Sequence, residues 1–330
     1  EFAICLNNLG TFYTGQGEYE KAKPLHERAL SIRERVLGHE HPDVANSLGN
    51  LALMYHEQGE YDKAESFYQQ STAIYEKSLG QDHLAVADNL NSLALLHQNR
   101  GEYGKAEPLA ERALAIFEKT LGPHHPDVAL SLSNLAGLYH DQGEYERAEA
   151  LYIRALAICE ESHDPYHPDI ANSLNNLAGL HDDRGEYERS EPLYVRALVI
   201  LEHTLGPNHP DVAISLNNLA TAYSARGMPG RAKPLLERAL AIYEETLGPA
   251  HLLVSHSLVA LATAYDDTGE DEKARELEER ALAIRRAREG GNQEDVQRLV
   301  AAPRFVERQA FPGDVVAARQ GLFGHFPHDV

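Results

Sequence analysis

Apolar residues recur along this chain at the three- and four-residue intervals of an amphipathic helix, in two kinds of stretch that alternate. In the stretch after Pro42, the apolar positions are Val44, Leu48, Leu51, Ala52 and Tyr55. In the next stretch, the apolar and small positions are Ala64, Phe67, Tyr68, Ser71, Ile74 and Tyr75. The spacing predicts two helices, which we call helix A and helix B. Pro42 suits the first turn of helix A, Gly59 the turn between the helices, and Leu79-Gly80 the end of helix B.

This two-helix unit repeats every 42 residues. The turn glycine returns without a slip, at Gly17, Gly59, Gly101, Gly143, Gly185, Gly227 and Gly269. A His-Pro-Asp motif starts at His41, His125, His167 and His209, with degenerate copies at His83 and His251. We therefore predict one repeat array over residues 1–289, with units near 1–41, 42–83, 84–125, 126–167, 168–209, 210–251 and 252–289. Residues 290–330 have no repeat and are predicted to be a tail that is partly helical, around 295–301, or disordered.

Small residues mark the positions where the helices are expected to cross most closely. One helix A column reads Gly10, Ala52, Ala94, Ala136, Ala178, Ala220 and Ala262. Two helix B columns, which begin at Ala22 and Ala29, contain alanine or serine in every unit. Pro24, Pro108, Pro192 and Pro234 are expected near the first turn of helix B, where a missing N–H costs little. Since one helix pair cannot bury its own apolar face, neighbouring pairs must stack into an elongated solenoid.

The residues resemble a known family. The pattern Leu-Asn-Asn-Leu-Ala, Gly-Glu-Tyr, Ala-Glu-Pro-Leu, Arg-Ala-Leu-Ala-Ile and Leu-Gly-Pro-x-His-Pro-Asp-Val-Ala is similar to tetratricopeptide repeats of the 42-residue kinesin light chain type. The resemblance covers about 290 residues. It implies an all-α fold, a right-handed α-α superhelical solenoid of about seven helix-turn-helix repeats. It also implies binding of peptide segments of other proteins, rather than catalysis, on a concave surface lined by helix A.

Asparagines form two adjacent columns on helix A and supply the candidate binding residues. Positions three or four apart share a helix face, and stacking would turn these patches into a ladder. An amide can both donate and accept hydrogen bonds, which suits the backbone of an extended peptide. The candidate groove residues are Asn46, Asn50, Asn91, Asn134, Asn172, Asn175, Asn176, Asn217 and Asn218. Alternatively, these asparagines bond between adjacent repeats, or to water, and stabilise the solenoid.

The charge of the protein limits which kinds of ligand it is expected to bind. The formal net charge is -21, which argues against nucleic acid because phosphate binding needs a concentrated basic face. Helix A stretches lack basic residues, and Arg100, Arg184 and Arg226 appear only beside the turn glycine. The same end of helix A carries Glu57, Asp141, Asp182, Asp183, Asp266 and Asp267. We therefore predict a groove with an acidic rim that prefers neutral or basic peptides.

Other chemistry finds little support in the sequence, and no cofactor, metal or catalytic residue is predicted. Cys5 and Cys159 are the only cysteines, too few for a disulfide framework. The 18 histidines fall mostly once per unit in the connecting loop, where a loop or N-cap role is expected rather than zinc binding at clusters such as His163 and His167. No apolar run reaches the roughly 20 residues that span a bilayer, and no signal segment opens the chain. We expect a cytoplasmic protein that does not bind membranes.

Three functional hypotheses stay open. The first is an interaction scaffold, for example a cargo adaptor. The second is a sensor module cut from a larger signalling protein with a nucleotide-binding ATPase or protease domain. The third is an architectural repeat protein that self-associates through its uncapped first helix. The chain begins at Glu1, inside the repeat pattern, so we expect a fragment or a processed form of a longer protein.

Overall fold

The computed structural model describes residues 1–289, which form fourteen α-helices in seven consecutive pairs. The predicted tail, residues 290–330, lies outside the described residues. The helix A segments are α1 (Phe2–Gly15), α3 (Pro42–Glu57), α5 (Leu84–Asn99), α7 (Pro126–Asp141), α9 (Pro168–Asp183), α11 (Pro210–Ala225) and α13 (Leu252–Asp266). The helix B segments are α2 (Tyr19–Leu37), α4 (Tyr61–Leu79), α6 (Tyr103–Leu121), α8 (Tyr145–Ser162), α10 (Tyr187–Leu205), α12 (Pro229–Leu247) and α14 (Asp271–Glu289). The predicted all-α fold of helix-turn-helix repeats is confirmed.

The helices belong to two compact units. The first extends from Glu1 to Glu144 and contains α1 to α7, and the second begins at Tyr145 and contains α8 to α14. Within each unit, every helix packs against the next one along the chain. The helix A segments of successive repeats also contact one another, from α1 to α7 in the first unit and from α9 to α13 in the second. Each unit is therefore a stack of seven packed helices, while a single array over residues 1–289 stays a prediction.

A histidine side chain caps six of the helix A segments. Nδ1 of His41 accepts a hydrogen bond from the backbone N–H of Asp43 over 3.1 Å, and His83 accepts one from Ala85 over 3.2 Å. The same bond forms at His125, His167, His209 and His251. Each cap satisfies one of the N–H groups that a helix start leaves unpaired. The degenerate copies lack the proline and the aspartate but keep this bond, so histidine is the capping residue, as predicted.

The turn from helix A to helix B depends on a glycine in the left-handed region. Gly59 has a φ of 80°, a conformation that residues with a Cβ rarely adopt. The chain then reverses, and the N–H of Glu60 donates to the carbonyl oxygen of Tyr55 over 2.8 Å. This bond satisfies a carbonyl at the end of helix A and places Tyr61 at the start of helix B.

The prolines of helix B lie deeper than expected. Pro24 is the sixth residue of α2, and Pro108, Pro192 and Pro234 lie inside their helices in the same way. The prediction of a first-turn position was wrong by about one turn. The helix continues through the proline because residues on both sides of it, such as Ala22 and Ala29, are fully buried against other helices.

The core extends across neighbouring helix pairs as well as within each pair. One cluster joins Ala22 of the first repeat, Leu51 and Tyr68 of the second, and Leu96 of the third. The predicted small-residue columns are buried, and Ala52 has no exposed surface. Among residues 1–289, no helix is both long enough and apolar enough to cross a membrane.

Candidate peptide-binding face

Each helix A carries a stripe of exposed or half-buried side chains on the side away from the core. In α3 this stripe contains Asn46, Asn50 and Leu53. In α9 it contains Asn172 and Asn176. Because successive helix A segments contact one another within a unit, their stripes adjoin. We call them the first helix-A face, on α1, α3, α5 and α7, and the second helix-A face, on α9, α11 and α13.

The first asparagine column bonds between successive repeats. Nδ2 of Asn175, which is buried, donates to Oγ of Ser215 over 2.9 Å. Asn217 makes the equivalent bond to Ser257 over 3.1 Å. Asn7 bonds Ser47 in the same way. These asparagines therefore bond between adjacent repeats, as the alternative to peptide binding expects. Their side-chain N–H groups donate to serine and are not available to a peptide.

The second repeat lacks this asparagine and has a compensating exchange. Gly49 stands at the asparagine position, and Asn89 replaces the serine forty residues further on. Nδ2 of Asn89 donates to Oγ of Ser71 over 2.7 Å. Ser71 in turn donates to the carbonyl oxygen of Ala45 over 2.7 Å. Ser71 occupies a helix B column that is alanine in the other repeats. An asparagine–serine hydrogen bond is therefore kept here, but the asparagine lies on the following helix A and the serine on helix B.

The second asparagine column faces outward and has no protein partner. Asn50, Asn134, Asn176 and Asn218 are half-buried, and their side chains make no hydrogen bond with another residue of the described chain. Nδ2 of Asn218 is shielded from solvent as well. Asn91, from the first column, has a shielded Oδ1 atom with no partner among residues 1–289. These amides are polar groups of the two faces that are not engaged within the described chain.

The remaining candidates differ in their surroundings. Asn46 is exposed, and its Oδ1 accepts a hydrogen bond from Nη1 of Arg33 over 2.9 Å. The buried Arg33 also donates to the carbonyl oxygen of Asp43 and to Oγ of Ser47. Asn172 is half-buried on the second helix-A face, beside Asn176. The structure therefore brings Asn172 and Asn176 together and turns Asn175 toward the next repeat.

The arginines beside the turn glycines are paired with carboxylates. Nη1 of Arg100 lies 2.9 Å from Asp62 and 3.3 Å from Glu65, both in the preceding helix B. In the second unit, Nη1 of Arg184 lies 2.7 Å from Glu149. Arg226 pairs with Glu191 in the same arrangement. Sequence reasoning located the arginines but missed these pairs, whose signal is an acidic residue 35 positions earlier.

Burial affects two carboxyl groups of the acidic rim. Glu57 and Asp182 are half-buried, and burial raises the pKa of both carboxyl groups. Asp141 accepts a hydrogen bond from Nε2 of Gln98 over 2.6 Å. Asp266 and Asp267 are exposed. The rim therefore combines exposed carboxyl groups with two half-buried ones, whose ionisation a nearby cation would favour.

Two histidines replace tyrosine at the end of helix A. His97 and His181 are buried, as predicted. Nδ1 of His97 lies 2.7 Å from Oε2 of Glu102, and Nδ1 of His181 lies 2.9 Å from Oε2 of Glu186. Tyr139, at the equivalent position of another repeat, donates to Glu107 over 2.9 Å. Each ring joins a helix A to a carboxylate of a helix B or of its turn, so these histidines contribute to packing.

Comparison with solved structures places the protein among repeat proteins of known type. BtubC (BKLC) from P. vanneervenii is 28% identical over 71% of this chain and 91% of its own, with a TM-score of 0.56. A candidate kinesin light chain from Podosopora anserina, with nearly identical TPR-like repeats, is 31% identical over 63% of this chain and 99% of its own, with a TM-score of 0.54. The resemblance to kinesin light chain repeats is thereby confirmed.

A third structure shares the fold alone. It is a signal transduction ATPase with numerous domains and a tetratricopeptide repeat sensor, from Pyrococcus horikoshii. This chain matches it at 18% identity over 85% of its length and 42% of the other chain, with a TM-score of 0.60. The sensor hypothesis therefore stays a prediction.

The family is established by the sequence. The tetratricopeptide repeat profile matches residues 1–77, 83–152, 127–202, 169–245 and 231–287. These matches cover all seven helix pairs of the described chain. The chain belongs to the tetratricopeptide repeat family.

Proposed function

We propose that this protein is a non-enzymatic scaffold that binds extended or short helical peptide segments of partner proteins on its helix-A faces. Tetratricopeptide repeats generally bind protein partners. Peptide binding on the helix-A faces is supported by one column of asparagines, Asn50, Asn134, Asn176 and Asn218. Their side-chain amides are half-buried and make no hydrogen bond within the described chain. A shielded polar atom without a partner, such as Nδ2 of Asn218, is costly. A peptide backbone offers both the donors and the acceptors that these amides lack.

The charged residues around this asparagine column indicate which charge a bound peptide should carry. Arg100, Arg184 and Arg226 are already paired with carboxylates, so they are not free to bind an acidic ligand. An acidic peptide would bring further negative charge to a protein of net charge -21. A basic side chain of the ligand would instead meet the rim carboxylates, including Glu57 and Asp182. We therefore propose neutral or basic peptides as the ligand class.

The proposal is tested by peptide binding to two matched double variants. In Asn176→Ala/Asn218→Ala the outward amides are removed, and we expect neutral and basic peptides from a charge-graded array to bind at least tenfold more weakly, with little change in melting temperature. In Asn175→Ala/Asn217→Ala the inter-repeat bonds are removed, and we expect a lower melting temperature with peptide affinity retained below that temperature. Undiminished binding by the first variant, or a preference for acidic peptides, would contradict the proposal.

We also propose that the protein works in the cytoplasm. Its two cysteines are free, as is usual in a reducing compartment.

We further propose that the protein self-associates through α1. Phe2 and Phe12 are 58% and 61% exposed, whereas their equivalents Val44 and Met54 are at most 1% exposed. A second copy that covered α1 would bury this apolar face. Light scattering across protein concentration should show a dimer that Phe12→Glu dissociates, and a monomer at all concentrations would contradict self-association.

A further inference from the structure

The exposed side of α8 and α10 carries apolar residues where the other repeats are polar. Ile153 in α8 and Val195 in α10 occupy equivalent positions of successive repeats and are 48% and 42% exposed. The other five repeats have glutamate or glutamine at this position, as Glu27, Gln69, Glu111, Glu237 and Glu279. Val199, one turn beyond Val195, is 51% exposed and replaces the alanine or serine of the other repeats. Two consecutive helix B segments therefore present apolar side chains to solvent.

These residues belong to an apolar strip along each helix. Positions three, four and seven apart share a helix face, and exposed alanine or proline continues the line of the larger side chains. We call the resulting surface the helix-B patch, and its members, all exposed, are Ala150, Ile153, Ala157, Pro192, Val195 and Val199. The patch lies on the helix B segments, so it is separate from the two helix-A faces.

Ion pairs hold the two strips side by side. Near the start of the strips, Nη2 of Arg189 in α10 lies 2.7 Å from Oε1 of Glu149 in α8. Near their end, Nη1 of Arg196 in α10 lies 2.6 Å from Oε1 of Glu160 in α8. Because the two pairs connect the same helices on either side of Ile153, the strips on α8 and α10 adjoin. Single exposed apolar residues are ordinary in soluble proteins, whereas adjoining ones with a polar border are typical of interaction sites.

Two acidic residues border the helix-B patch. Glu146 and Glu188 lie one turn before the strips, in line with them. Both are exposed, and neither forms an ion pair or a side-chain hydrogen bond within the described chain. Arg189 and Arg196 are already paired with carboxylates. A ligand of this surface therefore meets apolar side chains and, at one end, negative charge that is not neutralised by the described residues.

We propose that the helix-B patch binds an amphipathic α-helix of a partner protein, whose apolar stripe contacts Ile153, Val195 and Val199 and whose basic residues lie beside Glu146 and Glu188. Two adjoining helices leave a groove between their rows of side chains, and a third helix packs into such a groove. Opposite charges at the border favour a basic helix over an acidic one. The same two carboxylates would repel an anionic membrane surface, so a protein helix fits the patch better than a membrane does.

Three synthetic helices serve as probes of the patch. The basic helix is a peptide of about five turns with leucine at i, i+4, i+7 and i+11, lysine in its first and last turns, and alanine or glutamine elsewhere. The acidic helix has glutamate in place of each lysine. The scrambled helix has the composition of the basic one, with its leucines spread around the helix. By fluorescence anisotropy, the wild type should bind the basic helix at least tenfold more tightly than either of the other two.

Two variants of the protein locate the binding surface. Ile153→Gln/Val195→Gln introduces the residue that the second repeat has at Gln69 and changes no charge. It should bind the basic helix at least tenfold more weakly, with little change in melting temperature because both positions are exposed. Val36→Gln is the matched control, since Val36 is 68% exposed on α2, outside the patch, and this variant should bind as the wild type does.

Equal binding of the basic helix by the wild type and by Ile153→Gln/Val195→Gln would overturn the proposal, because it would assign the helix to another surface, such as the helix-A faces. Absence of binding by the wild type at millimolar peptide would overturn it as well. Light scattering and vesicle binding test the other occupants. A wild-type dimer that this variant dissociates would assign the patch to a second copy of the chain, and binding to anionic phospholipid vesicles that the variant loses would assign it to a membrane. Either result would also overturn the proposal.

Discussion

Nδ2 of Asn175 donates to Oγ of Ser215 across 2.9 Å, although the two residues are 40 positions apart. The equivalent bonds of Asn7 and Asn217 span the same interval. Each bond links one helix A to the next, so it contributes directly to the stacking of repeats. The adjacent residue Asn176 lies about 100° further around the same helix, on its outward side, and has no such partner in the described chain.

Asn175→Ala should destabilise the second unit. The substitution removes the donor of a buried bond and leaves Ser215, which has no exposed surface, without that partner. We expect a loss of about 1–3 kcal/mol in the free energy of unfolding, measured by urea denaturation. Asn176→Ala is the matched control and should change this free energy by no more than about 0.5 kcal/mol. An equal loss for both variants would show that position 176 also supports the fold.

The exchanged repeat should show thermodynamic coupling between Gly49 and Asn89. A Cβ at position 49 would lie 3.6 Å from Oδ1 of Asn89 and 3.7 Å from Oγ of Ser71, so a methyl group fits, and we expect the longer side chain of asparagine to compete with Asn89 for the same space. Gly49→Asn should therefore cost about 1–3 kcal/mol through overpacking. Asn89→Ser should also destabilise, because it removes the bond to Ser71.

The double variant Gly49→Asn/Asn89→Ser restores the residue pair of the other repeats. Its loss of stability should be smaller than the sum of the two single losses by at least 0.5 kcal/mol, a difference typical of residues in contact. Additive losses in urea denaturation would mean that the two positions act independently.

Gly10 makes room for a buried histidine. A Cβ at this position would lie 2.7 Å from ring atoms of His26, whereas a Cβ on Gly15 in the same helix would meet nothing within 4 Å. Gly10→Ala should lower the free energy of unfolding by about 1–3 kcal/mol, although alanine has the higher helix propensity. Gly15→Ala should be neutral or slightly stabilising in the same thermal or urea denaturation. A stabilising Gly10→Ala would show that the His26 ring can move aside.

Two buried histidines should make the protein less stable in mild acid. Burial lowers the pKa of His26 and of His56 to about 4, against an ordinary value of 6.5. In the folded state Nε2 of His56 contacts Nδ2 of Asn99 at 2.9 Å, which suits a neutral ring that accepts. As the pH falls below about 6.5, each of these imidazoles becomes protonated in the unfolded chain but stays neutral in the folded chain. Stability is therefore full above pH 6.5 and falls as the pH drops toward 4.

The size of this effect can be measured with His56→Gln, which keeps an acceptor but does not titrate. At pH 5 each histidine should cost about 2 kcal/mol relative to neutral pH. The variant should lose less stability than the wild type between pH 7 and pH 5 in urea denaturation. Parallel pH profiles for the two proteins would mean that His56 is protonated in the folded state.

The sequence by itself determined the helices and their order. Helix ends are specified by local groups, such as the capping imidazole of His41 and the left-handed turn at Gly59, and each lies within a few residues of the atoms it satisfies. The 42-residue period repeats these signals, so even the degenerate start at His83 could be placed. The prolines were misplaced by a turn because tolerance of Pro24 depends on packing against other helices rather than on local spacing.

Only the tertiary structure decided what each polar side chain does. Asn175 and Asn176 are chemically identical and differ by about 100° around one helix, so only the position of Ser215 on the next helix A turns one into an inter-repeat bond. The pairing of Arg100 with Asp62 and that of Arg196 with Glu160 likewise depend on how segments come together in space. Periodicity specifies helices because their hydrogen bonds are local, whereas side-chain partners depend on distances between repeats that only packing sets.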